Sequence, residues 1–66
     1  MKLLDVKGNY IGKMYYTDGK NVSVGDCIKS DKVYVVVSRV WDANVGEITN
    51  LIVREATPND MLGNDE

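Results

Sequence analysis

Apolar residues along this chain fall in short runs broken by Gly, Asn and Asp, and no stretch keeps helical spacing long enough for a sizeable helix. Residues 2–6 read as a first strand, stopped at Lys7-Gly8-Asn9, where Gly and Asn adopt positive φ at little cost. Residues 10–16 follow with the aromatic and branched side chains that suit a pleated surface. Gly12 inside them predicts a bulge or a sharp bend. Asp18-Gly19 separates this run from residues 21–24, and an Asp-Gly pair between two β-runs predicts a type I′ hairpin turn. A short strand over residues 27–29 then meets the polar turn Ser30-Asp31-Lys32.

Residues 33–41 form the centre of the pattern. Strict alternation puts Val33, Val35, Val37 and Trp41 on one face and Tyr34, Val36 and Val40 on the other. A strand apolar on both faces is covered twice or coils so that it serves two sheets. Residues 42–46 read as a loop and residues 47–56 as the antiparallel return strand. Thr57 then has the character of a helix N-cap, with Pro58 in the first helical position and Asp60 in the first turn. Only Met61-Leu62 precede Gly63, which limits that helix to a single turn.

These elements predict an all-β fold: a small barrel of five to six short antiparallel strands with one helical turn near the C-terminus. Residues 1–58 form its single domain and residues 59–66 an acidic, frayed tail. Barrel closure removes the sheet edges that a chain this small has little material to cover. The segment Val22-Ser23-Val24-Gly25-Asp26-Cys27-Ile28 resembles the V-x-V-G-D-x-V/I opening of many SH3-like barrels, and Tyr34-Val35-Val36 resembles the Y-x-V strand that follows it. The resemblance extends from Val22 to Pro58. It implies a binding module and no particular ligand, because SH3-like barrels serve many functions.

Length sharpens the picture. A chain of 66 residues buries only about 60% of the surface its unfolded form exposes, so its margin of stability is thin. No run approaches the roughly 20 apolar residues of a membrane-spanning helix. Asp5 and Lys7 interrupt the only stretch that starts like an export signal, so a cytoplasmic location and no membrane association are expected. The net charge is −2, but Asp60, Asp65 and Glu66 hold three of the ten acids. Residues 1–58 are left at net +1.

With no histidine and a single cysteine, the chain lacks the commonest metal ligand and general base and has no internal disulfide. Cys27 would need a neighbouring positive charge to act as a thiolate; Lys29, two along the strand, is the candidate. The simpler expectation is a small buried hydrophobe. Asp42, Asn44, Gly46 and Glu47 approximate a calcium loop but supply too few ligands. No enzyme activity, metal or cofactor is expected.

Tyr10, Tyr15, Tyr16, Tyr34 and Trp41 make an amphipathic aromatic set without phenylalanine. Tyr and Trp bury well while keeping a polar tip, which is why they gather at binding surfaces. Tyr15 and Tyr16, adjacent on a strand, would point to opposite faces, leaving one of them on the surface. Tyr15, Tyr16, Tyr34, Arg39 and Trp41 are therefore the candidate partner-binding residues. The expected function is a non-catalytic interaction module that binds a protein partner or a copy of itself. The alternatives are a nucleic-acid-binding barrel, with tyrosines stacking among Lys13, Lys20, Lys29, Lys32, Arg39 and Arg54, and a small inhibitor of a host enzyme of the kind a phage encodes.

Overall fold

The two longest strands set the frame. In a computed structural model, which describes residues 1–62, β4 (Val33–Asp42) and β5 (Glu47–Glu55) form an antiparallel hairpin. Asp42 closes it. Its carbonyl accepts the N–H groups of Val45 and Gly46, and its side chain accepts those of Asn44 and Val45, while Gly46 takes the positive φ that ends the loop. Around this hairpin lie β1 (Lys2–Leu4), β2 (Tyr10–Lys13) and β3 (Cys27–Lys29), in the order β2-β1-β5-β4-β3. The single sheet curls into a half-barrel.

Two offset bulges shape the hairpin. Val36 pairs with Val53 but Ser38 pairs with Ile52, so Val37 is an extra residue on β4. Val40 pairs with Asn50 but Trp41 pairs with Ile48, so Thr49 is an extra residue on β5. Each bulge bends its strand and adds twist. The Val37 bulge also breaks the strict alternation expected of residues 33–41. Val36 and Val53 point into the core, and beyond the bulge it is Arg39 that lies opposite the buried Leu51. Val35 is buried on the opposite side of the sheet, in a row with Cys27 and Arg54.

The core comprises Leu3, Ile28, Tyr34, Val36, Ile48, Leu51 and Val53, with Met1, Ile11, Met14 and Val22 packed against it. Leu3 reaches Leu51 because β1 runs parallel to β5, where an all-antiparallel barrel was expected. A parallel neighbour needs a long crossover rather than a tight turn. The whole chain from β2 to β4 supplies it.

The region expected to be a second hairpin is different. Tyr16–Gly19 forms the short helix α1, and residues 21–24 pair with no strand. Gly19 has no positive φ, as a type I′ turn would demand. It serves close packing instead: a Cβ there would sit 2.5 Å from the Met1 sulfur. The first strand also ends early, because the Asp5 carboxylate gathers the N–H groups of Lys7 and Asn9 into a turn with Gly8 at φ +90°. These bonds hold the Asp5 carboxyl below its ordinary pKa. The expected bulge beside Gly12 is present: Leu3 pairs with Gly12 and Leu4 with Tyr10, which leaves Ile11 extra.

The Val24-Gly25-Asp26 segment turns the chain into β3, as its pattern predicts. Asp26 N–H bonds back to the Ser23 carbonyl with Gly25 at φ +99°. Gly25 N–H then donates to the Val36 carbonyl while Val36 N–H donates to that of Asp26, a glycine bulge at the start of the ladder.

At the C-terminal end, α2 (Pro58–Leu62) is the expected helical turn. Thr57 and Asp60 cap it reciprocally: the Asp60 carboxylate accepts the Thr57 N–H at 2.7 Å, and the Thr57 hydroxyl accepts the Asp60 N–H at 3.4 Å. The Arg54 guanidinium grips both Asp60 oxygens at 2.9 and 3.0 Å and ties the helix to β5. The tail expected from Asn59 onward thus begins inside α2, and its last residues lie outside the described ones.

Two outcomes follow from this packing. Leu51→Ala removes a side chain with no exposure at all from the middle of a thin core. Urea unfolding should show a loss of about 2–5 kcal/mol, a large share of what a domain this size has. Asp60 behaves differently. The Arg54 hydrogen bond, chiefly, and the Thr57 N–H and hydroxyl hold its carboxyl well below the ordinary value of 3.8. A depressed folded-state pKa contributes stability that is complete above the unfolded value and is lost as pH falls below about 4. An Asp60→Asn variant should be less stable at pH 7 and lose less on acidification from pH 5 to pH 2 than the native chain, as followed by circular dichroism.

Candidate functional site

Besides the outer edges of β2 and β3, the described residues leave the second half of β4 unpaired along one side. β3 covers β4 only from Val33 to Val35, and the Gly25–Asp26 bulge extends that cover to Val36. The turn at Val24-Gly25 then takes the chain away. Among the described residues, no strand lies against residues 37–42 on the side away from β5. Val36 aims its own N–H and C=O toward β3. The extra residue at Val37 shifts the alternation by one, so beyond it Arg39 and Trp41 have their backbone groups facing outward.

The side chains of this edge are as distinctive as its backbone. Trp41 is 61% exposed although its cross-strand partner Ile48 is buried, and Arg39 is exposed opposite buried Leu51. Both stand at the open rim of the core-bearing face. Val40, on the opposite face, is partly exposed as well. Edge strands in stable monomers are usually short, covered, or guarded by lysine and proline. Residues 37–42 contain neither.

The other candidate residues are placed apart from this edge. Tyr15 precedes α1 and is 82% exposed; with Met14, Lys13, Ile28 and Lys29 it borders a hollow of about 640 Å³ between the end of β2 and β3. Tyr16, within α1 and not on a strand, has the Lys20 ammonium 6.0 Å from its ring centroid. It shares a second hollow with Lys2, Ile48 and Asn50. Tyr34 is off the surface altogether, buried opposite Ile28 with its hydroxyl donating to Asp31 at 3.0 Å. Burial, then that hydrogen bond and the charges of Asp31 and Glu55, push its phenol above the ordinary value of 10.

Cys27 is exposed on the short strand β3, where a buried position was expected, because the Cys27–Val35–Arg54 row lies on the outer face. That outer face holds a further feature. Lys2 and Lys13 are direct cross-strand partners, like charges side by side, and Tyr10 lies opposite Leu4 in the neighbouring row. Among the described residues, no group of three acids or thiols is placed to hold a metal ion. No helix of the described residues is long and apolar enough to cross a membrane.

No family model, curated protein or solved structure matches this chain. The site therefore rests on geometry alone: an unpaired β4 edge, with Arg39 and Trp41 presenting both side chains and backbone groups. Sequence reasoning picked these two residues by type but not the open edge that gives them a role. The available signal was Gly25, whose turn decides where β3 stops covering β4.

Trp41 is the only tryptophan, so its emission reports on this edge alone. In dilute solution, its fluorescence should resemble that of a solvated indole and be strongly quenched by acrylamide. At the same low concentration Trp41→Ala should shift the unfolding midpoint little, because most of that side chain is in water in the single chain. A large loss of stability would assign the ring to the core.

Proposed function

We propose that this chain is a small non-catalytic interaction module that receives an extended strand of a polypeptide partner along the open edge of β4. The observation behind this reading is the coincidence, over residues 37–42, of an unpaired backbone edge with an exposed Trp41 and Arg39. Main-chain hydrogen bonds supply the general affinity of such strand addition, and alternate side chains supply specificity. Tryptophan and arginine are the residue types that dominate binding energy at protein interfaces. The SH3-like likeness belongs to the same reading. The glycine turn into β3, the long β4–β5 hairpin and the neighbouring β1 and β5 support it, while the parallel direction of β1 departs from a simple antiparallel barrel.

A second reading has its own observation. The opposed Lys2 and Lys13, beside Tyr10 on the outer face, offer phosphate contacts next to an aromatic ring, as a nucleic-acid-binding sheet would. The two readings place the ligand on different residues and differ in their response to salt.

Proline at position 39 separates them. Arg39→Pro deletes an outward N–H and leaves the inward β4–β5 bonds in place, a substitution that edge strands tolerate. Proteins co-purified with the native chain should be lost with Arg39→Pro and with Trp41→Ala, and retained with Tyr10→Ala. Retention by Arg39→Pro would rule out strand addition. Binding of a single-stranded oligonucleotide that falls steeply as salt rises, and is lost with Lys13→Glu, would favour the second reading.

A further inference from the structure

The exposed edge of β4 has a symmetry of its own. Arg39 and Trp41 flank Val40, share one face of the strand and both turn their backbone groups outward; Ser38, Val40 and Asp42 share the other face. We propose that the strand received at this edge is β4 of a second copy, paired antiparallel about a two-fold axis at Val40. This rests on the strand-addition reading above and names its partner.

The register follows from the alternation. With Val40 opposite Val40 of the other copy, each Arg39 lies opposite the other Trp41, and each Ser38 opposite the other Asp42. The two Arg39–Trp41 pairs are hydrogen-bonded positions on both strands, so all outward N–H and C=O groups of these residues find partners. Each guanidinium meets an indole on the same face of the joined sheet, the pairing that attracts an arginine to an aromatic ring. On the opposite face each Asp42 has the Ser38 hydroxyl of the other copy within hydrogen-bonding reach, and the two Val40 side chains meet at the axis.

Neighbouring two-fold registers are poorer. Centring on Arg39 sets two guanidinium groups against each other, and like charges directly opposed are unfavourable. Centring on Trp41 puts Arg39 opposite Ala43, in the hairpin loop beyond the strand. The pairing at Val40 is isologous, so it closes at two copies and does not propagate into a filament. It joins two five-stranded half-barrels into one ten-stranded sheet and covers the edge on both.

Disulfide trapping tests the register. In a Cys27→Ser background, Val40→Cys puts two thiols at a non-hydrogen-bonded antiparallel pair, where Cα atoms lie about 4.5 Å apart, inside the range a disulfide spans. Mild oxidation should give a covalent dimer from Val40→Cys and none from Ser38→Cys in the same background. Light scattering on the native chain should give twice the monomer mass at high concentration, and Arg39→Pro and Trp41→Ala should each return it to monomer. The mass measurement decides the matter should a cysteine variant fail to fold. A native chain that stays monomeric at all concentrations overturns the second copy as occupant; strand addition itself falls only if Arg39→Pro also retains its co-purified partners. A dimer that survives Arg39→Pro, or one trapped through Ser38→Cys instead, overturns the proposed pairing.

Discussion

Everything in this fold depends on how β4 and β5 bury Val36, Val53 and Leu51 between them and the rest of the chain. A flat two-stranded ribbon has no inside, and an isolated hairpin is marginal in water. The bulges at Val37 and Thr49 curl the ribbon, and the curl turns one face into a core. Because each strand has one extra residue, the register returns to its starting value by Trp41–Ile48 and the hairpin closes cleanly at Asp42. The same extra residue at Val37 reverses which backbone groups face outward. The bulge at Val37 thus takes part in making the core and also sets the chemistry of the open edge.

The remaining elements each complete that core. β1 supplies Leu3 from the β5 side and β3 supplies Ile28 from the β4 side, while the segment between them contributes Met14 and Val22 across the open mouth. Arg54, in the same outer-face row as Val35 and Cys27, ties α2 to β5 through Asp60. Sixty-six residues are enough to cover one hairpin in this way. Among the described residues, β3 covers the first half of β4 and leaves the second half open.

Much of this was legible in the sequence because it is local. The β4–β5 hairpin, the Gly25 turn, the bulge beside Gly12 and the Thr57–Asp60 cap all come from residue types acting over a few positions. What was not legible is non-local. Asp18-Gly19 has the composition of a hairpin turn, yet Gly19 is there because Met1 packs on it, a contact made across the whole first hairpin. The parallel pairing of β1 with β5 leaves no mark within either strand. Strict alternation misassigned the faces of β4 because one unmarked valine, Val37, is extra. The bulge does not reach Tyr34 or Cys27. Tyr34, chosen by residue type with the surface aromatics, is core because it shares the face of Ile28 and Val36. Cys27, expected in the core as a small hydrophobe, is exposed on the opposite face.

The open edge also explains why Trp41 and Arg39 have to be read together. Unpaired backbone groups at a sheet edge are hydrated, so filling them exchanges water bonds for protein bonds, and each gains only about 0.5–1.5 kcal/mol. Four such bonds, the number two outward-facing residues on each of two strands can form, amount to about 2–6 kcal/mol. That sum is comparable with or below the roughly 4–15 kcal/mol of freedom lost when two molecules associate. Backbone complementarity therefore selects an extended strand without holding it. The surplus has to come from side chains, and at this edge the large exposed side chains are an indole and a guanidinium set two residues apart on one face. A partner strand that offers an aromatic ring to Arg39 and a cation to Trp41 satisfies both at once, and the chain's own β4, run in reverse, is such a strand.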